Sequence, residues 1–473
     1  MLLTSKLAEQ IYASIADAPI IDFHTHLPQQ EIYDDHRFAD LWELWLKHDH
    51  YKWRLMRGCG VDEQFITGDA EPFEKFKAFA SILPLAIGNP VYQWAHMELE
   101  AVFGITTALN ADSAETIWNQ ANQALENDPQ LSVRGLLEKF KVKLVCTTDD
   151  PTWDLSTHEK LATEDGLYTT VLPTFRPDRF LSPHQPEKFQ HAIADLAKCV
   201  GFKIESFDDL VTALAKRHAA FHAAGCRMSD HGLPYCPTQP SSEFNLEEIF
   251  SRSMSGTIAS EDEWNAFAAA LMQHIAKLNT EKGWTMQLHL GPLRNVNSRM
   301  ALELTADSGF DTMGSWPQTE PLVAFLDQLS FTDSLPKTIV YNLNPNESEA
   351  ICCALQNFQC APTPGKIQYG PAWWHCDHVR GIREQIDILT TLGAIGTSIG
   401  MLTDSRSFTS YVRHDYYRRI LCSYLADAAS NGEMPSDLEL LSTTARNIAH
   451  LNAESYLELF LTSDSLLAAT LEN

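Results

Sequence analysis

Eight short β-rich apolar runs punctuate the chain, most of them separated by helical patterns. They are APIIDFHTHL (18–27), KVKLVCTT (141–148), YTTVLPTF (168–175), GCRMSDHG (225–232), TMQLHLG (285–291), KTIVYNL (337–343), KIQYGP (366–371) and TSIGMLTD (397–404). Several are near-continuous rather than alternating, which is how a strand covered on both faces of a parallel sheet reads. Between them, stretches such as PEKFQHAIADLAKCV (186–200) and VRGIREQIDILTTLG (379–393) carry apolar residues at helical spacing. Strand and helix repeated over this length admit a doubly wound sheet or a barrel. Eight strands favour an α/β fold of the (β/α)8 barrel type.

The spacing of the runs is uneven. More than a hundred residues separate the first from the second, and that stretch is rich in Trp, Phe and Leu at helical spacing (FADLWELWLKH, EKFKAFASILPLAIG, YQWAHMELEAVFG). The expected division is a barrel of residues 1–28 and 136–473 with a helical lid subdomain, 29–135, inserted after the first strand. A second insertion, about 234–260, follows the fourth run; its YCPTQPSSEF segment reads as a surface loop. After Ser405 the chain continues as helix through FTSYVRHDYYRRILCSYLADAAS and LSTTARNIAHLNAESYLEL.

Charge narrows the partners. The formal net charge is -27, from 62 acidic and 35 basic residues, so the surface repels nucleic acid and anionic membranes. A small anionic substrate needs a local cluster of Arg or Lys. The ten cysteines show no disulfide-framework or metal-finger spacing, the usage of a cytoplasmic enzyme with reduced thiols. The N-terminal MLLTSKLAEQIYASI is broken by Lys6, Glu9 and Gln10 and reads as an amphipathic helix rather than a signal peptide. No run of eighteen apolar residues exists to span a membrane. Monomer and homo-oligomer both stay open.

In a barrel the chemistry lies at the C-terminal ends of the strands. The first run ends in His24-Thr25-His26; on a strand, residues two apart face the same way, so the two imidazoles form half a site for Zn²⁺ or a related divalent ion. The alternative is two polar loop residues. His48-Asp49-His50 has the same spacing but lies in a helical pattern, where such residues do not face each other. His375 and His378 share a helical face or simply start a helix. The fifth run places His289 at the mouth, although a lone strand-end histidine is more often structural. The eighth ends in Asp404, which lies beside the first strand once the barrel closes, and which also suits an N-cap of the following helix. Arg176, Arg294 and Arg406 are candidate anion holders. The fourth run ends in Ser229-Asp230-His231 without a Lys, and the sixth in Asn342-Leu343-Asn344 without a His. Both absences argue against a two-metal hydrolytic site.

Longer blocks carry a resemblance. IIDFHTHL (20–27), DHYKWRLMRGCGV (49–61), GNPVYQWAHMELEAVFGI (88–105), LPTFRPD (172–178), MQLHLGPLRNVNSRM (286–300), GPAWW (370–374) and GMLTDSRSFTSYVRHDYYRRILC (400–422) resemble the uronate isomerases, the glucuronate isomerase type of the amidohydrolase superfamily. The resemblance implies interconversion of D-glucuronate with D-fructuronate and of D-galacturonate with D-tagaturonate. It implies His24, His26, His289 and Asp404 around one divalent metal that proton transfer does not strictly require; Zn²⁺ suits this donor set, and Mn²⁺ or Fe²⁺ also fit it. Asp404 would start proton transfer, Tyr51 would shuttle a proton between the sugar oxygens, His50 would touch substrate and Arg406 would stabilise the enediolate. Arg176 would hold the carboxylate of the hexuronate. His289 would also face the sugar, with Trp373 and Trp374 as pocket wall or core. His375-Cys376-Asp377 stands where the family commonly has Phe-Asn-Asp.

Overall fold

The structure, a computed structural model, describes residues 2–239, 243–304 and 306–458. Strands β1 (Ile20–Asp22), β2 (Val142–Cys146) and β3 (Thr170–Leu172) pair in parallel. So do β4 (Met228–Leu233), β5 (Thr285–Leu290), β8 (Lys337–Asn342) and β9 (Ile367–Tyr369). The two sets are joined through Phe175, which bridges Asp149 on one side and Ser229 on the other. Phe175 N donates to Met228 O at 3.1 Å, and Asp230 N donates to Phe175 O at 3.0 Å. Seven parallel strands thus follow one another in sequence order, with helices between them. A short antiparallel ribbon, β6 (Pro292–Leu293) with β7 (Thr312–Met313), stands apart.

All six residues of β5 are buried, which is why its run reads as continuous rather than alternating. The helix Glu261–Lys282 before it has local reasons for both ends. Ser260 and Glu263 form a capping box, and Gly283 closes the helix at φ 68°.

The eighth run does not become a strand. Residues 398–405 are irregular, because Gly400 sits at φ 77° and Asp404 at φ 48°, and left-handed residues break an extended ladder. The segment is nevertheless stitched to β1. Thr403 N and Oγ1 donate to the two oxygens of Asp22 at 2.9 and 2.6 Å. Asp404 N donates to His24 O at 3.1 Å, and His26 N donates to Ser405 O at 2.9 Å. On the other flank, Gln368 of β9 donates to Thr397 O at 2.9 Å. Seven paired strands and one irregular segment therefore stand where eight strands were expected.

Between β1 and β2 the described chain is helical, including His50–Gly58, Pro72–Ile82 and Pro90–Phe103. These helices do not enclose a core of their own. Trp45, Phe76 and Phe79 belong to one apolar cluster with Ile20 of β1, Val142 of β2, and Tyr416 and Leu425 of helix Val412–Ser430. That last helix starts at Val412 with Tyr411 as N-cap, so Asp404 is not a helix cap. The insertion at 234–260 contains a helix, Leu246–Met254, after its expected loop segment; residues 240–242 of that segment fall outside the described ones, as does 459 at the end of the expected C-terminal helix. All ten cysteines are unpaired.

Gly400 supplies a test of the irregular segment. A Cβ there would lie 2.2 Å from Ile448 O. Gly400→Ala is expected to lower the unfolding free energy by about 2–3 kcal/mol, read as a lower urea midpoint at unchanged slope. A midpoint equal to that of the parent would contradict the stitching.

Candidate active site

His24 and His26 follow β1 and converge on one oxygen. Each Nε2 lies 3.2 Å from Asp404 Oδ1, and the ring centroids are 5.3 Å apart. Asp404 Oδ2 takes part in neither contact. The backbone bonds that clamp 403–405 to β1 are therefore the bonds that bring this carboxylate to the imidazoles.

A second buried group adjoins the first. Asp230, inside β4, is fully buried. Its Oδ1 lies 2.6 Å from His289 Nδ1, and its Oδ2 lies 3.0 Å from Arg176 Nη1. A carboxylate accepting from Nδ1–H fixes the His289 tautomer and leaves its Nε2 with a free lone pair. That Nε2 is buried and has no hydrogen-bond partner, as is His24 Nδ1. The rings of His24 and His289 lie 4.5 Å apart. His24, His26 and Asp404 form one candidate metal-holding group, and His24, Asp230 and His289 form another, with the donor atoms of each within 4.8 Å of one another. The unpartnered nitrogens and the His and Asp donors fit a divalent cation.

Burial sets the protonation states. It opposes charge on every one of these groups. On Asp404 it is outweighed by the hydrogen bonds from His24 and His26, which hold the carboxyl well below its usual range. On His24 it is outweighed by Asp230 and Asp404, so the pKa is raised. His26 has one carboxylate beside it rather than two, and burial pushes it down to about 4. Arg176, His289 and His24 hold Asp230 ionised against its burial. Burial, followed by the charge of Asp404, raises the Tyr51 phenol well above 10 and keeps it protonated.

A cavity of about 430 Å³ brings His26, His50, Tyr51, Asp404 and Arg406 to one wall system, together with Trp94, Glu98 and Arg413. Tyr51 Oη and His50 Nδ1 are buried without a hydrogen-bond partner. Helix His50–Gly58 presents both; Asp49 caps its first turn, accepting from Tyr51 N at 2.9 Å and Lys52 N at 3.0 Å. Arg406 is paired with Asp307 at 2.8 Å. His48, the other half of that His-x-His, also lines the cavity.

The remaining expected residues stand behind or beside this cavity. Arg176 is gripped by Asp178 at Nε (2.9 Å) and by Asp230 at Nη1 (3.0 Å). Gly232 makes room for it, since a Cβ there would fall 2.3 Å from Arg176 Nη2. His289 stacks on Tyr341 at 4.1 Å, and Trp373, only 4% exposed, packs edge-on against His289 at 4.6 Å. Trp373 is thus core behind the histidine. Trp374 lies under Arg294 at 5.0 Å, in a small side pocket shared with His50 and Tyr51. His378 caps a helix, accepting from Gly381 N at 3.0 Å. Asp377 pairs with the buried Arg413.

Asp230 and Glu98 are the residues that strand-end inspection missed. A carboxylate in the middle of a run read as a buried strand is the available signal for Asp230, since such a charge is buried only with partners.

Comparison with known proteins places these residues in a family. The family model described as glucuronate isomerase matches residues 1–457. The chain is 45% identical to the uronate isomerase of Solibacter usitatus over 97% of its own length and 98% of that protein, and 44% identical to that of Opitutus terrae over 97% of each. Among solved structures it is similar to the uronate isomerase of Thermotoga maritima (31% identity, TM-score 0.89, covering 96% of this chain and 98% of that one). It is also similar to the glucuronate isomerase of Caulobacter crescentus (25% identity, TM-score 0.88, covering 98% and 97%).

Asp230→Ala removes one of the two carboxylates that pair with the partly buried Arg176 and the acceptor of the buried His289. Leaving a buried donor unsatisfied costs about 1–3 kcal/mol, and denaturant unfolding is expected to show a loss of that order. A loss below about 1 kcal/mol would mean that Asp230 does not hold this group together.

Proposed function

The chain belongs to the glucuronate isomerase family, enzymes that isomerise uronates, and we propose that its cavity moves a proton between C2 and C1 of an open-chain hexuronate through a cis-enediol. The proposed pairs are D-glucuronate with D-fructuronate and D-galacturonate with D-tagaturonate. The observation that carries this reading is the sharing of one cavity by Asp404, Tyr51, His50 and Arg406. Isomerisation of an aldose needs a base, a proton shuttle and stabilisation of an enediolate, and these side chains supply them.

In the aldose-to-ketose direction, Asp404 Oδ2 takes the C2 proton while O1 gains one from the Tyr51 phenol. The enediol then loses the O2 proton to Tyr51, and the proton held on Asp404 is delivered to C1. The bookkeeping closes, and both groups end as they began. Asp404 is suited to accept because it is ionised, and Tyr51 to donate because burial keeps it protonated. Arg406 offsets the charge on the enediolate oxygens, and His50 orients the substrate beside Tyr51. Arg176, beside the cavity and held by Asp178 and Asp230, is the proposed anchor of the distal carboxylate.

His24, His26, Asp404 and His289 would hold one divalent metal, with Asp230 orienting His289. When bound, the ion polarises a coordinated oxygen as a Lewis acid. Zn²⁺ is the proposed ion. Residues 29–135 are proposed to act as a lid, supported by the position of His50 and Tyr51 on a helix of that stretch. The proposed compartment is the cytoplasm, consistent with ten unpaired cysteines. Among the described residues no helix is long and apolar enough to cross a membrane.

Two measurements test the reading. Purified protein incubated with D-glucuronate or D-galacturonate is expected to form the ketouronate, and Asp404→Asn to lower turnover by about 10²–10⁴-fold with ligand affinity largely kept. Absence of ketouronate from both sugars, or near-parental turnover in Asp404→Asn, would overturn it. Titration of metal-stripped protein with Zn²⁺ is expected to show one ion per chain, bound at least about 10-fold more weakly by His24→Ala. Equal affinity in the two proteins would remove His24 from the metal site.

A further inference from the structure

A group of buried charges beside the cavity has no part in the chemistry so far. Lys52 is 3% exposed and Glu98 2%, so both have lost nearly all their water. Lys52 Nζ lies 2.8 Å from Asp49 Oδ2 and 3.6 Å from Glu98 Oε2. The other oxygen of Asp49 accepts from the backbone N–H groups of Tyr51 and Lys52. Glu98 belongs to the neighbouring helix, Pro90–Phe103. One turn earlier on the same face, Trp94 meets the Tyr51 ring edge-on at 6.5 Å and lies under Arg413 at 4.6 Å. One face of one helix therefore touches Tyr51 twice, through its ring by Trp94 and through its backbone by the relay Glu98, Lys52, Asp49.

We infer that Glu98 is a positioning residue for Tyr51, acting through Lys52 and Asp49 to fix the phenol where it meets the sugar oxygens. Fold stability does not explain the carboxylate. Arg413 and the Thr409 hydroxyl also face Glu98, but Arg413 already has Asp377 and Lys52 already has Asp49; burying a further carboxylate there is unfavourable unless it serves something other than stability. What Glu98 adds is a tie between two helices at the turn that carries Tyr51.

The inference rests on the proton-shuttle role proposed for Tyr51, and the test separates the two. Glu98→Gln leaves a one-to-one Asp49–Lys52 pair and is expected to fold. Its kcat for uronate isomerisation should fall about 10- to 100-fold, the cost of a small misplacement, with KM within twofold. In a Tyr51→Phe background the same substitution should change kcat less than twofold, because the hydroxyl it positions is gone. Glu98→Asp, which withdraws the charge by one methylene, is read by the same cycle if Glu98→Gln does not fold. A kcat effect of equal size in both backgrounds, a loss confined to KM, or parental kcat would overturn the inference. If residual activity of Tyr51→Phe is too low to read, the kcat-against-KM split decides alone. Tyr51→Phe with parental kcat would instead overturn the shuttle itself, whatever Glu98 does.

Discussion

Asp22 grips residue 403 with both carboxylate oxygens, and the rest of the site depends on that grip. It is buried in β1, and the segment it holds forms no strand. Side-chain acceptance here replaces part of the ladder that a regular strand would have supplied. With residue 403 fixed, the next two residues bond across to His24 and His26. Asp404 can then turn through its left-handed backbone and reach both imidazoles with one oxygen.

The same economy recurs through the interior, where charges are few and shared. One oxygen of Asp404 serves two histidines. Asp230 serves His289 and Arg176, and Lys52 sits between Asp49 and Glu98. Each sharing leaves some donor or acceptor less than fully satisfied, a cost in stability that a purely structural core avoids. Four of the buried atoms without a hydrogen-bond partner, His24 Nδ1, His289 Nε2, Tyr51 Oη and His50 Nδ1, belong to the proposed site. Unmet bonding capacity in a buried place is what a substrate or an ion completes.

Much of this was legible in the sequence, for identifiable reasons. Seven apolar runs became parallel strands because strands covered on both faces cannot hide their pattern. The alternation rule puts His24 and His26 on one face, and the structure has both imidazoles meeting Asp404. The eighth run misled because composition cannot reveal left-handed turns at Gly400 and Asp404. Asp230 is not legible as part of the site because its partners, Arg176 after β3 and His289 in β5, are distant in sequence. Arg176 is expected from the sequence as an anion holder or as a partner of Asp178; the structure pairs it with Asp178 and also with Asp230, which only the β3-to-β4 packing brings to it. Glu98 and Lys52 carry no sequence signal of their own, and only the packing of one helix on the other buries them.

The grip of Asp22 on Thr403 joins residues 381 positions apart. Contacts of such separation form late, since the loop they close is long and its entropy opposes closure until much else is in place. A chain emerging from the ribosome reaches residue 403 after every paired strand has already been made. Until then it carries the two histidines without the carboxylate they share. The pairing that the proposed chemistry needs therefore closes near the end of synthesis, together with the helix Val412–Ser430, which completes the apolar cluster around β1 and β2.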